Sequence, residues 1–218
     1  MTDQIGLIGL GVMGENIAKN LADNNVQIVA FNSSEEKLNK IRSNIQVNLF
    51  HGYTDIDEMV NSLKQPRLIL LMVPAGEPTK EVIGNLSTKL SKNDWIIDGG
   101  NSNYIDSEET GRELSKKGLH FAGLGISGGE KGARHGPALM LGSNGTSIPE
   151  IVQDYLNRIA AIDSDGHKCI RIYNGYGAGH FVKMVHNGIE YAEMQLISEI
   201  YDLLRKRRNN DTYIAEIF

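Results

Sequence analysis

Short apolar runs alternate with amphipathic stretches over most of the chain. Ile5–Ile8 reads as a buried strand, and the stretch from Val12 to Ala22 has the spacing of an amphipathic helix. Arg67–Val73 is the strongest strand-like run and is apolar at odd and even positions, which is typical of a central strand covered on both faces. The other predicted strands are Gln27–Phe31, Trp95–Asp98 and His120–Leu124, and the other predicted helices are Glu35–Arg42, Asp55–Leu63, one opened by Pro78, Ser107–Lys117, and one from Ser147 and Pro149 to about Ala160. This alternation predicts an α/β fold, a doubly wound and mostly parallel sheet with helices on both faces.

The pattern changes after Tyr176. From about Gly179 to Arg208 there is no proline, and Gly188 is the only interior breaker, so we predict one long helix of roughly 28–30 residues. The basic run at its end, Arg205–Arg208, is interpreted as a solvated helix end. We therefore divide the chain into an α/β domain, residues 1–176, and the start of a helical domain, residues 177–218.

Composition and charge narrow the class of protein. The chain has 218 residues and a formal net charge of −5, which argues against a nucleic-acid partner. No apolar run reaches about 18 residues, so we expect no membrane partner. Met1–Gln4 has no basic start and leads into no signal-peptide core, which predicts a cytoplasmic protein. Cys169 is the only cysteine, which excludes an internal disulfide and a multi-cysteine metal site; we predict no metal site.

Six residues that follow the first strand and open the first helix form the motif Gly9-Leu10-Gly11-Val12-Met13-Gly14. In G-x-G-x-x-G the first glycine permits a tight turn, the second lets the backbone approach a pyrophosphate, and the third lets the helix pack on the strand. The helix N-terminus then offers free N–H groups to the phosphates. The alternative is a glycine-rich turn without a ligand, but the strand–helix context favours a Rossmann-type dinucleotide site.

The end of the second strand bears on which dinucleotide binds. An NAD site would normally place an acidic residue here, whereas the chain has Asn32, which does not repel a phosphate. Ser33, Ser34 and Lys37 could donate hydrogen bonds or charge to a 2′-phosphate, which favours NADP. Alternatively, Ser34 simply caps the next helix.

Two glycine clusters follow strands on the predicted carboxyl edge of the sheet, where ligands bind in open parallel sheets. The first is Asp98–Ser102 and the second is Ile126–Arg134. Adjacent glycine N–H groups suit an anionic group, and Ser127 adds a hydroxyl to the second cluster. The alternative for both is an ordinary left-handed turn.

The long helix carries a polar stripe of Lys183, His186, Asn187 and Glu190, which fall within an arc of about 100°. Lys183 and Glu190 are about 10 Å apart along the axis, which leaves room for a molecule between their side-chain ends. The roughly opposite side is apolar, with Phe181, Val185, Ile189 and Leu196. A solvated polar face is the alternative, but the position directly after a dinucleotide fold favours a site.

Three segments together resemble the decarboxylating 6-phosphogluconate dehydrogenases: Ile97–Ser102, Ser127–Pro137 and Gly177–Tyr191. The resemblance covers essentially the whole chain. The Gly-x-x-x-Lys-x-x-x-Asn core of the third segment is shared with the wider β-hydroxyacid dehydrogenases, and its extension to Glu190-Tyr191 is the narrower signature.

The resemblance implies oxidative decarboxylation of 6-phosphogluconate to ribulose 5-phosphate and CO₂ with reduction of NADP, in the pentose phosphate pathway and gluconate utilization. It implies that Lys183 is the general base and Glu190 the general acid. The implied substrate-binding residues are Asn101, Ser127, Gly128, Gly129, His186, Asn187 and, at the phosphate, Tyr191. The implied cofactor-binding residues are Gly9, Leu10, Gly11, Val12, Met13, Gly14, Asn32, Ser33, Ser34, Lys37, Val73, Pro74, Ala75 and Asn101.

The sequence departs from the family pattern in three ways. Ser33 stands where the family usually has an arginine for the 2′-phosphate, so NAD stays open as the cofactor. Pro74 stands where many members have Lys or Gln. The family continues into a large all-helical domain that forms a homodimer, whereas this sequence ends at Phe218, so we expect weak or no activity from this chain alone. The alternatives are a non-decarboxylating β-hydroxyacid dehydrogenase and a cofactor-binding module without catalysis.

Overall fold

The computed structural model describes residues 4–145, 148–207 and 210–218, and these form an eight-stranded sheet in the order β3-β2-β1-β4-β5-β6-β7-β8. The strands are β1 (Gln4–Ile8), β2 (Gln27–Phe31), β3 (Phe50–Tyr53), β4 (Leu68–Leu71), β5 (Trp95–Asp98), β6 (His120–Ser127), β7 (Ala138–Ser143) and β8 (Ile170–Asn174). Neighbouring strands pair in parallel except β6 and β7, which are antiparallel. The strand order reverses between β1 and β4, the point where doubly wound sheets bind ligands.

Helices connect these strands and follow the last of them. They are α1 (Val12–Asp23), α2 (Glu35–Arg42), α3 (Ile56–Ser62), α4 (Glu77–Ser87), α5 (Tyr104–Lys116), α6 (Gly129–His135), α7 (Glu150–Ile159), α8 (Ala178–Lys206) and α9 (Asp211–Ile217), with a 3₁₀ turn at Val47–Leu49. Side-chain oxygens of Ser34, Asp55 and Asn103 accept hydrogen bonds from the first turns of α2, α3 and α5. These caps satisfy N–H groups that have no partner within the helix.

The core lies on both faces of the sheet. In β4, Leu68 and Leu70 belong to one apolar cluster, and Ile69 and Leu71 belong to the other. This alternation is why a central strand is apolar at every position. On the first face, the buried Asn20 amide of α1 donates to the carbonyls of Ala133 and Ile159, which fixes α1 against α6 and α7.

The doubly wound, mostly parallel sheet predicted from the sequence is confirmed, and several element boundaries are corrected. The expectations missed β3, β7, β8, α6 and α9, and β6 continues to Ser127 rather than ending at Leu124. Helix α5 begins at Tyr104, three residues before the predicted start, because Asn103 caps it. Helix α6 contains Gly132 in its interior, which costs about 1 kcal/mol relative to alanine, and burial of Ala133 against α1 overrides that cost.

The described chain divides into two compact units within α8, the first ending at Val182 and the second beginning at Lys183. Helix α8 ends at Lys206, and a separate helix, α9, follows it. The predictions for Met1–Asp3, Ser147 and Arg208 lie outside the described residues. Among the described helices, none is both long and apolar enough to cross a membrane.

Candidate active site

The three glycines of the motif that joins β1 to α1 differ in what surrounds them. Gly9 has a φ of 95°, and a Cβ there would lie 2.5 Å from the Met72 carbonyl oxygen. A Cβ on Gly14 would overlap the Gly9 carbonyl oxygen, so this position holds α1 close to the turn. A Cβ on Gly11 would meet nothing within 4 Å. Gly11 is therefore not required by packing, and its open side is where a pyrophosphate could approach the backbone.

The other residues of this turn divide between the core and the open side. Leu10 is buried in the first apolar cluster, and Met13 packs partly against it. Val12 is 61% exposed, and the N-terminus of α1 has no side-chain cap. The first N–H groups of α1 are thus available to an anion, and the Leu10 side chain serves packing.

The end of β2 is a tightly hydrogen-bonded turn. The Asn32 Oδ1 atom accepts from the Ser34 N–H at 2.9 Å, and Ser34 Oγ accepts from the Lys37 N–H at 3.4 Å. Ser34 therefore caps α2, which confirms the alternative interpretation of this residue. Ser33 and the Lys37 side chain are exposed beside this turn.

The segment from Val73 to Ala75 links β4 to α4 beside the glycine turn. Val73 packs partly against the second apolar cluster, whereas Pro74 and Ala75 are exposed. The Pro74 carbonyl accepts a 2.8 Å hydrogen bond from the Thr79 hydroxyl, which fixes the turn into α4.

The loop after β5 is folded around a buried carboxylate. One oxygen of Asp98 accepts from the Gly100 N–H at 2.9 Å, and the other accepts from the Ser102 hydroxyl at 2.6 Å. Neither Gly99 nor Gly100 has a positive φ, so the left-handed-turn alternative is wrong for this cluster. Both are glycines because a Cβ would crowd the Met72 sulfur and the Val73 carbonyl. Asn101 is exposed between these two hydrogen bonds.

The second cluster differs from the first. Ser127 is the last residue of β6, and Gly128 and Gly129 have φ values of 124° and 59°, so a positive-φ turn is present here. A Cβ on Gly129 would meet nothing within 4 Å. The turn exposes Gly128 and Gly129 at the start of α6, with the half-buried Ser127 before them.

The first unit brings these segments to one edge of the sheet. The glycine turn, the Asn32 turn, the Val73–Ala75 link, the Asn101 loop and the Ser127 turn follow the carboxyl ends of β1, β2, β4, β5 and β6. Sequence reasoning named Asn101 and missed the roles of Asp98, Ser102 and His180, which hold the Asn101 loop. Asp98 carried a signal, because an aspartate at the end of an otherwise apolar strand requires a polar partner.

In the second unit, the polar stripe lies on α8. Burial lowers the pKa of the half-buried Lys183 ammonium. His186 Nδ1 lies 3.1 Å from Asn187 Oδ1 and 3.7 Å from a Glu190 carboxylate oxygen. Tyr191 is 71% exposed. A lysine that loses its proton more readily and a carboxylate two turns along the helix are suited to moving protons.

Helix α8 also exposes the apolar residues predicted for its opposite side. Their exposed fractions are 44% for Phe181, 44% for Val185, 59% for Ile189 and 61% for Leu196. An apolar face of this size is typical of a surface that another part of a protein covers.

Known proteins match both parts of the sequence. Residues 4–175 match the family model of the NAD binding domain of 6-phosphogluconate dehydrogenase, and residues 179–218 match that of the 6-phosphogluconate dehydrogenase C-terminal domain. A curated Candida albicans relative, a decarboxylating 6-phosphogluconate dehydrogenase, is 46% identical over 216 residues, which cover 98% of this chain and 41% of the relative. The chain thus spans less than half the length of the curated relatives it matches.

Solved structures of related dehydrogenases are also similar to this chain. A Plasmodium falciparum 6-phosphogluconate dehydrogenase, studied in its apo form and with its cofactor NADP⁺ and its substrate 6-phosphogluconate, has a TM-score of 0.85 at 36% identity over 93% of this chain and 43% of its own. A Mycobacterium tuberculosis 3-hydroxyisobutyrate dehydrogenase has a TM-score of 0.80 at 19% identity over 100% of this chain and 70% of its own, which supports the fold alone. The first family model by itself spans most of the sequence, and the chain therefore belongs to the 6-phosphogluconate dehydrogenase family.

Proposed function

We propose that the chain carries the cofactor-binding domain and the catalytic helix of an NADP-dependent, decarboxylating 6-phosphogluconate dehydrogenase. The reaction is the oxidation of 6-phosphogluconate to ribulose 5-phosphate and CO₂, a step of the pentose phosphate pathway. The observation that carries the proposal is the half-buried Lys183, with its lowered pKa, on the helix that follows a complete dinucleotide fold. Family membership and the Plasmodium falciparum neighbour with NADP⁺ and 6-phosphogluconate support it.

The glycine turn fits a dinucleotide. The open side of Gly11 and the uncapped N-terminus of α1 suit the pyrophosphate, and Val12, Val73 and Ala75 are available to the nicotinamide half. Ser33, Ser34 and Lys37 offer two hydroxyls and one cation to a 2′-phosphate, and Asn32 stands where an NAD site normally has an acidic residue. When bound, NADP supplies the acceptor for the hydride that leaves C3 of the substrate.

Lys183 moves the first proton. Its neutral amine takes the proton of the C3 hydroxyl as the C3–H bond breaks, which yields a 3-keto acid and an ammonium. The lowered pKa raises the fraction of neutral amine near pH 7, which this step needs. The Lys183 ammonium then donates to the C3 carbonyl oxygen while the C1–C2 bond breaks, so that the electron pair flows into an enediol and CO₂ leaves.

Glu190 completes the reaction as a general acid. Its carboxyl delivers a proton to the former C2 carbon of the enediol, and the enediol hydroxyl returns its proton to the neutral Lys183 amine as the ketone of ribulose 5-phosphate forms. The substrate is held by Asn101, Ser127, Gly128, Gly129, His186, Asn187 and, at its phosphate, Tyr191. The exposure of Asn101, Gly129 and Tyr191 is compatible with this role.

The domain division is part of the same proposal. Residues 1–176 form the NADP-binding domain, and residues 177–218 begin an all-helical domain whose complete form makes the homodimer. The exposed apolar side chains of α8 support a further covering layer of protein. A cytoplasmic location follows from the same assignment and stays a prediction.

Binding and turnover test the proposal separately. Calorimetric titration of the chain with NADP measures cofactor binding, and absorbance at 340 nm with 6-phosphogluconate measures oxidation. We expect NADP binding, with weak turnover or none from these 218 residues alone. Absence of NADP binding by the folded chain would contradict the proposal.

Cofactor choice is tested by comparing the dissociation constants of NADP and NAD. We expect NADP to bind more tightly, because Asn32 stands at the end of β2 where an NAD site normally has an acidic residue, and because Lys37 is exposed in the first turn of α2. A preference for NAD would show that the missing arginine outweighs the missing carboxylate.

A further inference from the structure

The beginning of α8 lies directly on the sheet, within the first unit. A Cβ on Gly177 would overlap the Tyr104 carbonyl oxygen, and one on Gly179 would overlap the carbonyl oxygens of Met140 and Gly123. The segment can therefore approach β6, β7 and α5 only as glycine backbone. This close approach places the side chain of the next residue, His180, inside the first unit, where it is 3% exposed.

Both ring nitrogens of His180 make hydrogen bonds there. Nε2 lies 3.0 Å from the Asp98 carbonyl oxygen, and Nδ1 lies 2.7 Å from the Ser107 hydroxyl. A carbonyl oxygen only accepts hydrogen bonds, so Nε2 is the donor. In the neutral imidazole Nδ1 then accepts from the Ser107 hydroxyl at 2.7 Å, which is closer than the other acceptor of that hydroxyl, the Asn103 carbonyl oxygen at 3.2 Å. The two bonds of the ring fix both its tautomer and its plane.

These two partners lie on either side of the Asn101 loop. Asp98 is the last residue of β5, and Ser107 lies in the first turn of α5. Hydrogen bonds within the loop also stabilise it, because the Asp98 carboxylate accepts from the Gly100 N–H and from the Ser102 hydroxyl. His180 therefore joins the two ends of the loop through one rigid ring.

We propose that His180 is a positioning residue that holds the Asn101 loop in its conformation. It belongs to the helix that carries Lys183 three residues later, so one side chain links the loop to the first turn of the proposed catalytic helix. The inference rests on the proposed function for its consequence in substrate binding. The geometry of the loop itself does not depend on that function.

Amide hydrogen exchange of the 218-residue chain tests the positioning directly. His180→Leu removes both bonds, Ser107→Ala removes one, and His180→Gln keeps a donor that reaches the Asp98 carbonyl. The exposed Ser115 lies on the same helix as Ser107, so Ser115→Ala is the matched control. We expect exchange at the Gly100 amide to accelerate about tenfold or more in His180→Leu, less in Ser107→Ala, and about twofold or less in His180→Gln and the control.

The pattern of exchange separates positioning from general support of the fold. If His180 were only a core residue, the amides of β1 would accelerate as much as those of residues 99–102, and that result would overturn the proposal. Unchanged exchange at Gly100 in Ser107→Ala, combined with fast exchange everywhere in an unfolded His180→Leu, would overturn it as well.

Ligand titrations connect the loop to the proposed function. We expect Ser107→Ala to raise the dissociation constant of 6-phosphogluconate several-fold, and His180→Gln and Ser115→Ala to raise it about twofold or less. An increase of the same size in the Ser115→Ala control would contradict the positioning role. If the unaltered chain fails to bind 6-phosphogluconate, the proposed function is at fault, and the exchange experiment still decides the role of His180.

Discussion

Gly11→Ala separates dinucleotide binding from folding. A Cβ at Gly11 meets nothing within 4 Å, and the residue has a φ of −72°, which alanine adopts without strain. Alanine is a poorer N-cap than glycine, but it also lowers the entropy of the unfolded chain, so the two effects nearly offset. We expect the free energy of unfolding to change by less than about 0.5 kcal/mol and the melting temperature by about 2 °C or less.

We expect Gly11→Ala to weaken cofactor binding instead. The added methyl group occupies the side of the turn that faces solvent, where a pyrophosphate must approach the backbone N–H groups. Losing one hydrogen bond to a charged group costs about 1.5–3 kcal/mol, which is a loss of affinity of about ten- to hundredfold. Calorimetric titration with NADP, next to thermal unfolding of the same samples, measures both quantities.

Gly14→Ala is the matched control. Its Cβ would overlap the Gly9 carbonyl oxygen, so we expect an overpacking cost of about 2 kcal/mol and a melting temperature lower by about 4–8 °C. Unchanged NADP affinity in a fully folded Gly11→Ala chain would refute the assignment of the pyrophosphate to this turn.

Three further predictions concern other parts of the molecule, two from substitutions and one from a titration. Ser33→Arg should tighten NADP binding about tenfold and leave NAD binding unchanged, since arginine adds a charge-assisted contact for a 2′-phosphate; equal gains for both dinucleotides would count against that site. Asp94→Asn should cost about 3 kcal/mol in chemical denaturation, because the buried carboxylate pairs with Arg67 at 3.0 Å, whereas Glu77→Gln at an exposed pair should cost less than about 0.5 kcal/mol. NMR titration should find that Lys183 loses its proton below the ordinary lysine pKa of about 10.4. Burial disfavours the charged form in the folded chain, so stability rises as the pH increases from the lowered folded pKa to the ordinary value; a titration at the ordinary value would contradict the burial effect.

The sequence predicted the structural elements that depend mainly on neighbouring residues. The apolar positions of Leu68–Leu71 predicted a central strand, and the spacing of Gly9, Gly11 and Gly14 predicted a strand–turn–helix, because both depend on neighbouring residues. The long helix was predicted for the same reason, since few breakers interrupt it.

Features that depend on distant contacts were not predictable in this way. No helix was predicted for Gly129–His135, whose glycines disfavour one, and packing of Ala133 against α1 stabilises the helix that forms there. His180 stood beside the polar stripe in sequence, yet its partners Asp98 and Ser107 are more than 70 residues away. No spacing rule along the chain connects them.

The most direct test of the proposed reaction uses 6-phosphogluconate labelled with ¹³C at C1. The chain is joined to the C-terminal domain of the Candida albicans relative, and ¹³CO₂ and NADPH are measured together, with Lys183→Met as the matched variant. We predict equal amounts of ¹³CO₂ and NADPH, and a loss of both by at least about 10²-fold in the variant. NADPH without ¹³CO₂ would indicate a non-decarboxylating dehydrogenase, and full activity of Lys183→Met would contradict the role of this lysine.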